Sequence, residues 1–152
     1  MPSSPLLVLD TNVVLDWVAF DDTRVQPIAA AIERKTLPLV SNEDCVQELR
    51  RALGYPQVKL DAPMQASALA RYLALARMFE LPAGAASAQL PQCEDPDDQK
   101  FLDLAWHAGA SHLLTRDKAL LKLARSLAHR FAILRPDEFL ERMAAADRPP
   151  PG

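Results

Sequence analysis

Short apolar runs recur along the chain, each followed by a longer stretch in which apolar residues return every three or four positions. The first run, Leu6-Leu7-Val8-Leu9, reads as a fully buried strand, and Asp10, Thr11 and Asn12 after it are helix-entry residues. Residues 13–20 then carry a short helical pattern. Residues 25–34 predict a second helix, with Ile28 and Ile32 one turn apart on a buried face. A strand over residues 37–40 leads into the acid-rich helix start Ser41-Asn42-Glu43-Asp44. That helix runs to about Leu53, where Gly54-Tyr55-Pro56 ends it.

The longest helical pattern, rich in Ala and Leu, covers residues 62–78, and residues 79–81 offer a short strand after it. Pro82, Gly84 and Pro91 loosen the chain that follows. Residues 98–108 predict a helix, 112–114 a strand, 118–127 a helix and 131–134 a last strand. Pro136 opens a final helix to about Ala145, and residues 147–152 form a Pro-rich tail expected to fray. Strands alternating with helices predict a three-layer α/β/α sandwich with a mostly parallel central sheet. Sites in such sheets lie outside the carboxyl ends of the strands. Asp10 leaves the first strand at that edge, and Asp117 follows the strand over 112–114 in the same sense, so the two acids are expected to be neighbours.

The totals leave this picture intact. A chain of 152 residues fits one domain, over residues 1–146, with a core that needs no disulfide or structural metal. The net charge of -3 excludes a protein that coats nucleic acid nonspecifically, though not an enzyme that grips RNA locally. Cys45 and Cys93 lack Cys-x-x-Cys spacing and are expected as reduced thiols. No basic segment precedes the first apolar run, and no stretch is long enough to span a membrane, so a cytoplasmic location is expected.

Each acid has an ordinary explanation that must be weighed. Asp95 caps a helix, Pro96 suits its first turn, and Asp97 and Asp98 complement its dipole. At about 100° per residue, however, Asp98 aligns with Phe101, Leu102, Ala105 and Gly109, the face that packs on the sheet. An acid needed only for capping has no reason to head a buried stripe; Asp97 and Asp103 point away from it. Glu48 lies at the boundary of the stripe formed by Cys45, Val46, Leu49 and Leu53. Taken alone it is best explained by a surface pair with Arg51, worth about 0.2–0.5 kcal/mol. Asp117, Thr115 and Asp10 all have capping roles open to them.

Together Asp10, Glu48, Asp98 and Asp117 resemble the acidic quartet of the PIN-domain ribonucleases. The likeness is carried by Leu7-Val8-Leu9-Asp10-Thr11-Asn12, Cys45-Val46-Gln47-Glu48-Leu49, Asp95-Pro96-Asp97-Asp98-Gln99-Lys100-Phe101-Leu102 and Leu114-Thr115-Arg116-Asp117. It is closest to the subfamily of toxins of toxin–antitoxin pairs, related to VapC-type toxins. It implies hydrolysis of RNA with one or two Mg²⁺ or Mn²⁺ ions, a homodimer and a cognate antitoxin protein. Under it, Asp10 and Asp98 are the principal metal ligands, and Glu48 and Asp117 hold a second ion or orient water. Asn12, Thr11 and Thr115 steady the carboxylates. Arg116 departs from the small residue common there in relatives, and either contacts phosphate or crowds the metal.

Arg116, Lys118, Lys122 and Arg125, with Arg130, form a basic segment beside the expected site, either a solvated face or a set of phosphate contacts. His107, His112 and His129 are scattered and read as surface or structural residues. Trp17 and Trp106 read as packing residues. Three competing functions share these features. A phosphohydrolase of the haloacid dehalogenase kind needs an Asp where Asn12 stands. A noncatalytic RNA- or protein-binding module and a housekeeping RNA-processing nuclease fit the same residues.

Overall fold

In the computed structural model, which describes residues 5–82 and 90–147, strand β1 (Leu7–Leu9) is followed by helices α1 (Thr11–Val18) and α2 (Gln26–Glu33). Then come β2 (Leu39–Ser41), α3 (Glu43–Leu53), α4 (Ala62–Leu73) and β3 (Ala76–Met78). The second half contains α5 (Gln99–Ala108), β4 (His112–Leu114), α6 (Lys118–Leu121), α7 (Ala124–Leu127), β5 (Ala132–Leu134) and α8 (Pro136–Asp147). The end of the expected tail, residues 148–152, lies outside the described residues, as does much of the loosened stretch before Leu90.

The strands order as β3-β2-β1-β4-β5, and every pairing is parallel. Strand alternation sends Leu7, Leu9, Leu39, Leu114 and Leu134 into a core shared with Val14 and Trp17 of α1, Ile28 of α2 and Phe139 of α8. Val8, Val40, Leu113 and Ile133 point the other way, into a core with Phe101, Leu102 and Leu104 of α5 and with Leu120 and Leu127. Both faces of the sheet are therefore covered, which is why its strands read as continuous apolar runs. Each fully buried Leu contributes about 1.5–3 kcal/mol. Helices on both faces of a parallel sheet give the three-layer sandwich.

The chain steps outward from β1 through β2 to β3, then crosses back to lay β4 on the other side of β1. Connections after β1 and β4 thus diverge and leave a crevice at their carboxyl ends. Caps hold the elements around it: Asn42 accepts from the Cys45 N–H at 2.9 Å, and Asp95 from the Asp97 N–H at 3.0 Å.

Three of the differences from the sequence expectation affect the sheet and the basic segment. The long helix stops at Leu73, and residues 76–78 form β3, so the strand does not fall on 79–81. Ala and Leu suit a helix, but here the open edge of β2 wins, pairing Leu39, Val40 and Ser41 with Ala76, Arg77 and Met78. The helix over 118–127 divides into α6 and α7, with Leu123 N–H donating to Leu120 O at 3.0 Å as a tight i→i−3 turn. No Gly or Pro marks that break. Finally, β2 begins at Leu39; Leu37 is buried but precedes the strand.

Candidate active site

Asp10 stands at the end of β1 and is 4% exposed. It occupies the N-cap position of α1, yet its side chain makes no capping hydrogen bond there. Its carboxylate accepts instead from Thr115 Oγ1, at 2.7 Å from Oδ2. Burial pushes the Asp10 carboxyl up to about 6 despite the opposing hydrogen bonds from Thr115 and from the Thr11 backbone. The neighbouring charges of Glu48 and Asp117 raise it further.

Asp98 closes a 3₁₀ turn (Pro96–Asp98) immediately before α5 and is 7% exposed. It too makes no side-chain cap. As the wheel predicts, it heads the buried stripe of Phe101, Leu102 and Ala105. Burial raises its carboxyl far above the ordinary range, followed by a hydrogen bond with the Asp117 side chain and by the charges of Asp10, Asp117 and Asp95. Oδ2 of Asp98 is buried with no hydrogen-bond partner. Asp117 does cap, accepting the Ala119 N–H at 2.8 Å through Oδ1, so its structural role and its place beside Asp98 coexist. Thr115 is fully buried and links the two acids, because its hydroxyl also accepts the Asp117 N–H at 2.9 Å.

Glu48 reaches the same edge from α3, although not as a partner of Arg51. Its Oε1 lies 2.9 Å from Lys100 Nζ, and its Oε2 accepts the hydroxyl of Thr11. Sequence reasoning missed Lys100 because Asp97 and Asp103 offer it nearer partners at helical spacing; only the packing of α5 beside α3 brings it to Glu48. Asn12 Oδ1 is buried without a hydrogen-bond partner.

Asp16, likewise not singled out in the sequence, is buried on α1 and accepts two hydrogen bonds from Arg116, Nε to Oδ2 at 2.9 Å and Nη2 to Oδ1 at 3.1 Å. Arg116 is therefore held by an acid and does not lie loose over the site. Lys122 pairs across the surface with Glu94 at 3.3 Å. Lys118 and Arg125 are exposed, on α6 and α7. Trp17 is core and Trp106 carries the Arg130 guanidinium 3.9 Å from its ring centroid, so both are packing residues. His112 packs edge-on against Phe139, and burial lowers its pKa. Cys45 and Cys93 are buried free thiols.

Two cavities open on the strand-exit edge. One of about 390 Å³ is lined by residues following β2 and β3, among them Asn42, Asp44 and Phe79; the other, about 350 Å³, by Asp16, Arg24, Arg116 and Arg135. Neither is lined by Asp10 or Asp98.

The donor set suits a hard divalent cation in kind: carboxylate oxygens only, one of them orphaned, on groups whose charges oppose one another. It is not a finished cage. Among the described residues no three His, Cys, Asp or Glu side chains are disposed to hold a metal ion as they stand. Asp98 and Asp117 face each other across a hydrogen bond, and Glu48 faces Lys100.

The chain matches the family model described as the PIN domain over residues 6–119. Among solved structures it is similar to PAE2754 from Pyrobaculum aerophilum, with 18% identity and a TM-score of 0.58, covering 93% of this chain and 97% of that one. It is also similar to the T. brucei RRP44 PIN domain, with 16% identity and a TM-score of 0.50, covering 95% of this chain and 84% of that one. At these identities the two structures speak to the fold alone. No curated protein matches the chain.

Proposed function

The chain belongs to the PIN-domain family, generally a nuclease fold, and on that premise we propose that it is a metal-dependent endoribonuclease acting as the toxin of a toxin–antitoxin pair. The observation that carries the catalytic reading is the meeting of Asp10, Asp98 and Asp117 at the carboxyl ends of β1 and β4. Asp10 and Asp98 are buried, and the ionisation of each is hindered by that burial and by the charge of Asp117. Folding does not gain from such an arrangement; binding a cation does. Asp10 and Asp98 would be the principal ligands of Mg²⁺ or Mn²⁺, with Asp117 beside them. The bound ion supplies a polarised phosphate and a water of lowered pKa.

The chain's own residues do the rest. Thr115 fixes the direction of the Asp10 carboxylate, and its contact with the Asp117 N–H ties that acid to the same hydroxyl. Asp98, once its proton is lost, presents a buried oxygen already free of partners. Lys118, Lys122 and Arg125, with any donor of Arg116 not spent on Asp16, contact RNA phosphates along the basic segment. Such contacts position the strand without reading its sequence.

The test is Mn²⁺-dependent cleavage of a panel of RNAs by wild type, Asp10→Asn and Asp98→Asn. Loss of about 100-fold or more in both variants is expected; wild-type rates in both would sink the site. The toxin role draws on the likeness of the motifs to the toxin subfamily. Growth arrest on expression, relieved by the product of a small adjoining gene, is the result it requires. A homodimer is proposed on the same ground and is read by light scattering.

A further inference from the structure

We propose that Lys100 takes the place of a second cation in this centre, so that the site binds a single divalent ion and Glu48 is not among its ligands. The inference rests on the metal-dependent reading above and narrows it. Lys100 Nζ lies 2.9 Å from Glu48 Oε1, and the two side chains are only 16% and 20% exposed. The same ammonium donates to the Asp97 carbonyl at 2.6 Å, which anchors it to the turn that carries Asp98. The other Glu48 oxygen accepts the Thr11 hydroxyl, from the first residue of α1. Both oxygens of Glu48 are thus occupied by donors from two different elements.

A Mg²⁺ ion, which binds oxygen at about 2.0–2.1 Å, would have to displace the ammonium from that oxygen or share the oxygen with it, bringing two cations together. Lys100 offsets the charge of Glu48, which leaves Asp10, Asp98 and Asp117 as the uncompensated acids for a divalent ion. Lys100 is in this sense a positioning residue. It holds Glu48 against α5, and Glu48 in turn fixes Thr11, the residue next to Asp10.

The experiment is titration of the full chain with Mn²⁺ alone, counting bound ions by the electron paramagnetic resonance signal of free Mn²⁺ at about pH 8. Wild type and Lys100→Arg are expected to bind one ion per chain. Lys100→Gln, which frees Glu48, is expected to bind two. Two ions on the wild type, or one on Lys100→Gln, would overturn the proposal. Should Lys100→Gln fail to fold by circular dichroism, Glu48→Gln decides. Its Mn²⁺ affinity should stay within about threefold of wild type, and a loss of tenfold or more would overturn the proposal. A wild type that binds no Mn²⁺ at all removes the nuclease reading itself, and this inference with it.

Discussion

Thr115 Oγ1 lies 2.7 Å from Asp10 Oδ2, joining residues 105 positions apart across the β1–β4 boundary. The same oxygen accepts the Asp117 N–H, so one buried hydroxyl sets two of the acids. Thr115→Val keeps the shape and removes both bonds. It is expected to cost about 1–3 kcal/mol in urea unfolding, since a buried acceptor and a backbone donor lose their partner. The Thr115 bond also holds the Asp10 pKa down, so its loss should shift the acid limb of the pH–rate profile to higher pH. Thr115→Ser should restore both properties. A Val variant with unchanged stability and profile would contradict the geometry.

The raised carboxyls make a pH prediction whose sign is opposite to the usual one for acids. Asp10 and Asp98 hold their protons more tightly folded than unfolded, where their ordinary value is 3.8. Their contribution to stability is therefore complete below about pH 4 and is lost as pH rises, through about 6 for Asp10 and higher for Asp98. In chelator, Asp98→Asn should melt about 2–4 °C above wild type at pH 8, as roughly 1 kcal/mol gives at this size, and the gap should close towards pH 4. Added Mn²⁺ should raise the wild type more than the variant. A variant less stable at pH 8 would show that Asp98 is a structural acid.

Arg116→Ala should act on stability more than on RNA. It leaves Asp16, whose carboxylate is buried on α1, without the two-pronged guanidinium that compensates it. A loss of about 1–3 kcal/mol is expected, moderated because Arg116 is itself partly exposed. Lys should rescue it poorly, since an ammonium cannot present two parallel donors. Thermal unfolding of the three proteins measures this directly, and full rescue by Lys would count against the paired geometry.

Lys122→Glu combined with Arg125→Glu leaves the core untouched, both residues being exposed. If the basic segment carries RNA, affinity falls and the salt dependence of binding flattens by about 1.4 in log–log slope, about 0.7 for each single-strand phosphate contact. Unchanged affinity at low salt would assign the segment to solvent.

Much of this was legible in the residues. Unbroken apolar runs such as Leu7-Val8-Leu9 mark strands buried on both faces, and the helical wheel places Asp98 among core residues, as it is found. What escaped depended on distance in sequence. Nothing near Ala76 says that β2 needs a partner there, and nothing near Lys100 or Arg116 says that Glu48 and Asp16 await them. Helix propensity supplied a plausible local answer around Ala76, and tertiary pairing overrode it.

The strand order has a consequence for the order of synthesis. β1 emerges with Asp10 before the other strands, but its far edge has no partner until β4 is made, about a hundred residues later. Thr115 and Asp117 arrive only then, and Asp98 shortly before. A ribosome carrying the first two-thirds of this chain therefore carries no assembled centre. For a protein proposed to cut RNA, the pairing of β4 with β1 sets a built-in delay, keeping the blade apart until that strand has been made.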